Sequence, residues 1–480
     1  MSKNFYITTT LPYVNASAHM GHALEFVRAD IIARYKKLIG FEVFFNTGTD
    51  EHGQKIYQKA LENNQTPQEF VDVYADKFKD LMKLLDISND INFIRTTDEH
   101  HIKSAQEFWK VCNQNGYIYK KNYQIKYCIG CELEKTDSDL VDGKCPDHPN
   151  KDLEIRDEEN YFFKFSEFQK PLLAYYEKNP NFVIPDFRFK EIKNFVEAGL
   201  QDFSISRLKE KMPWGIEVPG DNNQVMYVWF DALVNYISAI GWPDNMEKFN
   251  KWQVETGGMV QYCGKDNLRQ QTAMWQAMLM AAGLPNSKTV VIDGFVTGAG
   301  GIKMSKSLGN VIDPLLFIEK YGTDALRYYV AREISPFEDS PMTEEMFKES
   351  YNANLANGLG NLTSRVMKMA QTNLSESVIV PEKSIPQEFF DLLEKFEIQK
   401  ATDLIWQKIA EADKLIQETQ PFKLVKTEKE KGIEIIKDLV IRLYTIGRML
   451  NPIMPETSQK IKDLVKNNKV PDTPLFLRKD

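Results

Sequence analysis

Cysteine and histidine are both scarce in this chain, with five and six residues among 480. A secreted scaffold stapled by disulfides needs denser cysteine and an even number of it, so reduced thiols or metal ligands are the roles left for these five. Long apolar runs are missing as well. Nothing in the sequence approaches the roughly 18 unbroken apolar residues of a membrane span, and the first residues, MSKNFYITTTLPYV, contain no signal-peptide core. A cytoplasmic protein with no membrane partner is the expectation. Internal repeats and low-complexity segments are also absent. A formal charge of −8 argues against a surface coated by nucleic acid, while leaving room for a local basic groove.

What is present is a globular composition, 42% hydrophobic and 27% charged, in a chain too long for one core. FYITTT at 5–10 is β-branched and aromatic and predicts a strand that Leu11-Pro12 ends. Leu24, Val27, Ile31, Tyr35 and Leu38 recur at helical spacing up to Gly40, and EVFFNTG at 42–48 predicts the next strand. Strand, helix, strand over this length is a parallel crossover unit of the nucleotide-binding kind. The rhythm fades near residue 116 and returns near 225 with VMYVWFDALV, MVQYCG and TVVIDGFV. A split α/β domain is therefore predicted, with halves at 1–115 and 219–297 and an insertion at 116–218. A loop and stem-contact region at 298–350 follows, and helical stripes without strands predict an α-helical bundle over 351–480.

Three motifs carry chemistry. In LPYVNASAHMGH at 11–22, His19 and His22 flank Gly21 at the start of the predicted helix. A helix N-terminus with imidazole donors suits phosphate, although a pair of packing or capping histidines has the same spacing. In GAGGIKMSKSLGN at 298–310, Lys303, Ser305 and Lys306 lie in a glycine-flanked loop, where lysines are point charges suited to oligophosphate. Alone, such a loop reads as a solvated turn. Finally, Cys128-x-x-Cys131 and Cys145-x-x-His148 offer three thiolates and an imidazole in two tight knuckles, a complete tetrahedral set for one structural zinc ion. Cys112 and Cys263 read as small core residues.

With HMGH and KMSKS at opposite ends of a split α/β domain, the chain resembles the class I aminoacyl-tRNA synthetases. LPYVNASAHMGH, GTDEHG, the cysteine knuckle, GLQDFSISR, YVWFDAL, GKDN, KMSKS and NLTSR make it similar, over nearly the whole chain, to the methionyl-tRNA synthetase family. The resemblance implies a Rossmann-like catalytic domain split by a zinc-binding connective insertion and followed by a C-terminal α-helical anticodon-binding bundle. It implies ATP-dependent activation of L-methionine to methionyl-adenylate, with Mg²⁺ accompanying ATP, and transfer to initiator and elongator tRNA(Met). His19, His22, Lys303 and Lys306 are then catalytic, with Gly21, Gly264, Asp266 and Ser305 also on ATP. Leu11 (through its carbonyl), Tyr13, Asp50, Trp229, Ala232, Tyr236, Gln271 and Trp275 are expected at methionine, and Asn361, Arg365 and Phe422 at the anticodon.

The chain departs from the family in two places: Gln271 stands where the family usually has histidine, and Phe422 where it has tryptophan. Gln271 keeps hydrogen bonding without titrating, and Phe422 keeps a stacking face without an indole donor. The sequence ends without an appended dimerising module, so a monomer is expected. Two other classes remain open at this stage. A nucleotidyltransferase working without tRNA would leave the zinc insertion and bundle unexplained, and a non-catalytic RNA-binding protein would not need the intact histidines and lysines. Lys306→Ala separates them: adenylate formation, read by ATP–pyrophosphate exchange, should fall about 10²–10³-fold while tRNA affinity is largely kept, and unchanged exchange would remove the loop's assigned role.

Overall fold

The computed structural model describes residues 3–128, 133–135, 140–146, 149–150, 152–302, 312–381 and 384–480. The calls on Cys131, His148, Lys303, Ser305 and Lys306 fall outside them. Six parallel strands form the central sheet, in the order Asn92–Arg95, Glu42–Thr49, Asn4–Thr9, Val260–Gly264, Thr289–Asp293, Val183–Ile184. Helices cover both faces, which is why Thr289–Asp293 is buried at every position and reads as an unbroken apolar run. Ile7 pairs with Phe45 on one side and Val260 on the other. From Asn4–Thr9 the chain crosses through helix Met20–Leu38 toward one edge of the sheet, and from Val260–Gly264 it crosses toward the other. The carboxyl ends of these two central strands therefore splay apart, at the topological switch point where α/β sheets hold ligands.

Helix Met20–Leu38 is buried continuously from Phe26 to Ala33, as expected of a helix packed on all sides. Two charges within that run are ion-paired, Arg28 with Asp293 and Asp30 with Arg327 and Arg34. Arg28 donates through Nη1 to Asp293 Oδ1 (3.1 Å) and Pro336 O (3.1 Å), and through Nη2 to Ile334 O (2.8 Å) and Ser335 O (3.0 Å). Asp30 accepts from Arg327 Nη2 (2.8 Å), Arg34 Nε (2.7 Å) and the Ser88 backbone and hydroxyl. Burial alone would raise its carboxyl pKa, but Arg327, Arg34 and Ser88 prevail and hold it below the usual value. Arg327 also donates to Ile453 O, Pro452 O and Leu85 O, joining the catalytic layer to the helical region.

The stretch expected to be one insertion is more interwoven than its composition suggests. Ile118–Cys128, Leu133–Lys135, Glu154–Phe163 and Phe203–Ser204 do form a separate antiparallel sheet, ordered Leu133–Lys135, Ile118–Cys128, Glu154–Phe163, Phe203–Ser204. Between them, however, Val183–Ile184 returns to the central sheet as its edge strand beside Thr289–Asp293. Two residues before a proline are too short to show a period. A third, three-stranded sheet takes Ser206–Leu208 and Asp221–Met226, so residues on both sides of 218 share one unit. Beyond Pro341 the described residues are helical, ending with Pro455–Lys466, and Asn352 exchanges hydrogen bonds with the Lys479 backbone, so the last residues pack back onto the bundle.

Arg327→Leu leaves Asp30 buried with a lost partner and removes the hydrogen bonds to the backbone oxygens of Ile453, Pro452, Leu85 and Asp86, and the expected cost is about 3–5 kcal/mol. Urea unfolding reads it directly, and a loss below about 1 kcal/mol would show that this buried pair does not hold the layers together.

Candidate active site

The first strand ends at Thr9, and Thr10 reaches sideways, its N–H donating to Tyr262 O at 3.2 Å on the neighbouring central strand. Leu11-Pro12-Tyr13 then runs along the end of Glu42–Thr49, where the Asp50 N–H donates to Pro12 O (2.9 Å) and the Val14 N–H to Asp50 O (3.1 Å). These bonds bring the Leu11 and Asp50 backbones together at the switch point. Gly53, at φ 118°, gives the turn that follows, and a Cβ there would lie 2.8 Å from the Tyr13 hydroxyl.

His19 and His22 meet as a reciprocal helix cap. His19 is the N-cap, its Nδ1 accepting from the Gly21 N–H at 3.1 Å, while His22 Nδ1 accepts from the His19 N–H at 3.2 Å. The rings stack with centroids 3.9 Å apart. With Nδ1 of each ring accepting, the neutral imidazoles carry their protons on Nε2. Burial, then the neighbouring His19, lowers the His22 pKa well below its ordinary value. His22 is thus neutral with its Nε2–H free to donate, in keeping with the imidazole donor expected from the sequence. The capping reading and the phosphate-corner reading describe the same geometry, since the cap fixes which nitrogen donates.

A cavity of ≈1040 Å³ opens at this point. Its wall includes His19, Gly21, His22, Gly264 and Asp266 on one set of segments, and Leu11, Tyr13, Asp50, Trp229, Ala232, Tyr236 and Gln271 on another. The structure therefore brings together twelve of the expected residues from six separated stretches. Trp275 is not among them. It is fully buried, packing on Tyr236 and Phe108 with centroids 5.8 Å away in both cases, so it braces the pocket wall from behind.

Three acids of the cavity, Asp50, Glu25 and Asp293, have raised pKa values. Asp50 is buried and Oδ1 has no hydrogen-bond partner among the described residues. Burial and the nearby Asp231 raise its pKa well above the ordinary value. Asp231, in turn, is held ionised against burial by His52 Nδ1 (2.7 Å from Oδ2) and His101 Nε2 (2.9 Å from Oδ1). Asp293 is pushed up to about 6 by burial despite Arg28. Gln271 is buried, donates from Nε2 to the Tyr236 hydroxyl at 2.8 Å, and accepts from Gln261 Nε2 at 2.8 Å. Gln261 accepts from Ser287 Oγ, so the departure from histidine is embedded in a satisfied amide network.

Several lining residues were not assigned from sequence. Glu25 lies one helical turn after His22, on the same face, a spacing that could have marked it. Arg207 stands at the end of the GLQDFSISR motif and stacks its guanidinium over Tyr227 at 4.4 Å. Asp293 gave no local signal, because only its pairing with Arg28 265 residues earlier in the chain identifies it.

Of the expected metal ligands, Cys128 and Cys145 are described and both are completely buried. Val141–Lys144 and Pro146 around Cys145 are exposed, so this thiol alone turns inward. Among the described residues no group of three or more histidine, cysteine or acidic side chains could hold a metal ion. In the helical region Asn361 is exposed, and Arg365 donates to Asp413 at 2.8 Å. Phe422, 45% exposed, is the second residue of the short helix Pro421–Thr427 that follows left-handed Gln420.

Comparison with known proteins bears on all of this. The family model described as tRNA synthetases class I (M) matches residues 5–154 and 148–367. A methionine–tRNA ligase of Caldanaerobacter subterraneus subsp. tengcongensis is 42% identical over 96% of this chain and 74% of its own length. That of Thermotoga maritima is 41% identical over 95% of this chain and 74% of its own. The solved structure of Mycobacterium tuberculosis methionyl-tRNA synthetase in complex with methionyl-adenylate superposes with a TM-score of 0.87 at 32% identity, covering 100% of both chains. No helix among the described residues is long and apolar enough to cross a membrane.

Glu25 offers a direct test of the cavity's electrostatics. Its Oε1 accepts from the Thr10 N–H (2.6 Å) and lies 2.5 Å from the Thr10 hydroxyl. Burial outweighs these bonds and, with Asp293 and Asp266, raises its pKa to about 8. The folded state then keeps a proton that the unfolded state releases near 4.5. Its contribution to stability is complete below that value and is lost as pH rises toward 8, by up to ~1.4 kcal/mol per unit. Wild type should therefore lose stability relative to Glu25→Gln between pH 5 and 8 in urea unfolding, and a pH-independent difference would contradict the assignment.

Proposed function

The chain belongs to the class I tRNA synthetase family of the methionine type, and from that membership we propose how its own residues carry out the reaction. The protein activates L-methionine with ATP to methionyl-adenylate and transfers the methionyl group to tRNA(Met). In the first step a carboxylate oxygen of methionine attacks the α-phosphorus, and the bond to the bridging oxygen breaks as pyrophosphate leaves with that electron pair. In the second, a ribose hydroxyl of the terminal adenosine attacks the adenylate carbonyl, forms the ester and displaces AMP. No protein side chain becomes covalently attached in either step.

The observation that carries the assignment is Asp50 Oδ1, a buried carboxylate oxygen without a partner among the described residues, in a cavity that also contains the capped histidine corner. An α-ammonium supplies the missing donor and the charge that lets Asp50 ionise, with the Leu11 carbonyl as a second acceptor. Tyr13, Trp229, Ala232 and Tyr236 enclose the thioether by area and sulfur–ring contact, since sulfur offers little hydrogen bonding. Trp275 supports Tyr236 from behind, and Gln271 sets the direction of the Tyr236 hydroxyl. His19 and His22 present Nε2–H donors to the phosphates, beside the Gly21 backbone at the helix N-terminus. Gly264 permits close approach of the nucleotide and Asp266 accepts from its ribose. Lys303, Ser305 and Lys306 meet the departing pyrophosphate. Mg²⁺ arrives on the ATP phosphates and supplies charge neutralisation there.

Cys128, Cys131, Cys145 and His148 hold one structural zinc ion in this reading, supported by the donor chemistry and the two inward-facing thiols. Asn361, Arg365 and Phe422 receive unstacked anticodon bases, with Asp413 orienting the Arg365 guanidinium. The protein works in the cytoplasm.

ATP–pyrophosphate exchange against all twenty amino acids, without tRNA, tests the assignment, and exchange confined to methionine is expected. Asp50→Asn should lower kcat/KM for methionine roughly 10- to 100-fold with the ATP KM nearly unchanged, whereas equal effects on both substrates would remove Asp50 from the ammonium. Metal analysis should find one zinc per chain, lost in Cys145→Ser, and its absence from the unmutated protein would defeat the zinc assignment.

A further inference from the structure

The GTDEHG stretch at 48–53 contains a histidine that none of the assigned roles uses. Asp50, Glu51 and His52 leave this turn in three directions. Asp50 lines the main cavity. The Glu51 carboxylate is occupied by Arg95 (2.7 and 2.9 Å) and by the hydroxyls of Thr49 and Thr97. His52 turns to Asp231, its Nδ1 lying 2.7 Å from Oδ2. The other oxygen of Asp231 lies 2.9 Å from Nε2 of His101, a residue of helix Glu99–Gln114, and Nδ1 of that ring lies 3.0 Å from the Ser238 hydroxyl. An ionised carboxylate only accepts, so both imidazoles donate to Asp231. All four side chains are buried, and none is part of the cavity wall.

Two parts of the cavity wall meet at this clamp. On one side, the His52 N–H donates to the Asp50 carboxylate, so the ring held by Asp231 and the amide that holds Asp50 belong to one residue. On the other, Asp231 lies in the short helix Val228–Ala232, between Trp229 and Ala232, which both line the cavity. Trp214 closes the turn from its far side, its ring 5.5 Å from that of His52, its Nε1 donating to Glu51 O (2.6 Å) and its carbonyl accepting from the Gly53 N–H (3.0 Å). Apolar side chains would fill this space at lower desolvation cost, so what a buried, doubly held anion adds is register. We propose that His52 and His101 are positioning residues for methionine: clamped on Asp231, they fix the distance between the Asp50 carboxylate and the Trp229 and Ala232 wall, and so set the length of amino acid that reaches both at once. Neither touches the substrate. The inference rests on the methionine-activation reading and deepens it by naming what sets the reach of the site.

ATP–pyrophosphate exchange by the full chain tests it, with amide substitutions that keep or drop a single donor. His101→Asn places its amide where Nδ1 was and loses the donor to Asp231, whereas His101→Gln places it where Nε2 was and keeps that donor. His101→Asn should raise the methionine KM about tenfold with the ATP KM kept within about twofold, and His101→Gln should stay within about threefold of wild type. At His52 the pair reverses, since Nδ1 is the donor there: His52→Gln should lose and His52→Asn should keep. Selectivity adds a readout that general damage would not move. Wild type should prefer methionine to ethionine, one methylene longer, by at least about tenfold in kcat/KM, and His101→Asn and His52→Gln should shrink that preference to about threefold or less. Equal rises in both KM values, a methionine preference kept in full, a loss in the donor-keeping variants as large as in their counterparts, or failure of both donor-losing variants to fold would each overturn the proposal. Wild-type protein that shows no exchange with methionine would instead overturn the reading beneath it.

Discussion

Two buried ion pairs on one helix set the geometry on which the rest depends. Arg28 joins helix Met20–Leu38 to Asp293 and to the carbonyls at 334–336, while Asp30 joins it to Arg327 and through that residue to the bundle at Pro452 and Ile453. Buried pairs of this kind are weak contributors to net stability compared with apolar packing, but they are costly to break singly. Their consequence is positional. The helix has few ways to slide or rotate, so its first turn, with His19 and His22, is held at a fixed place over the switch point.

The cavity that results carries less charge than its composition suggests. Burial raises the pKa values of Asp50, Glu25 and Asp293, reinforced at Asp50 by Asp231 and at Glu25 by Asp293 and Asp266, and burial beside His19 keeps His22 neutral. In the proposed reaction each is a dipole or a latent charge that the incoming ligand would complete: an ammonium at Asp50, phosphate oxygens at the imidazole Nε2–H groups. Groups arranged this way need little reorganisation as charge develops on the phosphates. Asp231 is the exception, held anionic by His52 and His101 directly behind the Trp229 and Ala232 segment, where its field acts on Asp50.

Much of this was legible in the sequence because it depends on local periodicity or on motifs of few residues. The strand expected at 5–10 is found at Asn4–Thr9, and the stripe from Leu24 to Leu38 lies in helix Met20–Leu38. What escaped depends on contacts far apart in the chain. Val183–Ile184 is too short to have a pattern, yet it completes the central sheet. Trp275 aligns with a pocket residue but packs behind Tyr236, and Arg207 and Asp293 acquire meaning only from partners on other elements. The histidine pair looked like a choice between cap and ligand. The structure shows the cap, and because accepting at Nδ1 leaves Nε2 to donate, the cap is compatible with the proposed ligand role.

The central claim is that the corner over the switch point is a neutral, fixed-tautomer donor at His22. Nitrogen-15 NMR of histidine-labelled protein, with His22→Asn used to assign the resonance, reads it most directly. The account requires the Nε2–H neutral tautomer at His22 throughout the neutral range, titrating well below the ordinary histidine value. An imidazolium at pH 7, or a proton on Nδ1, would contradict both the cap and the chemistry built upon it.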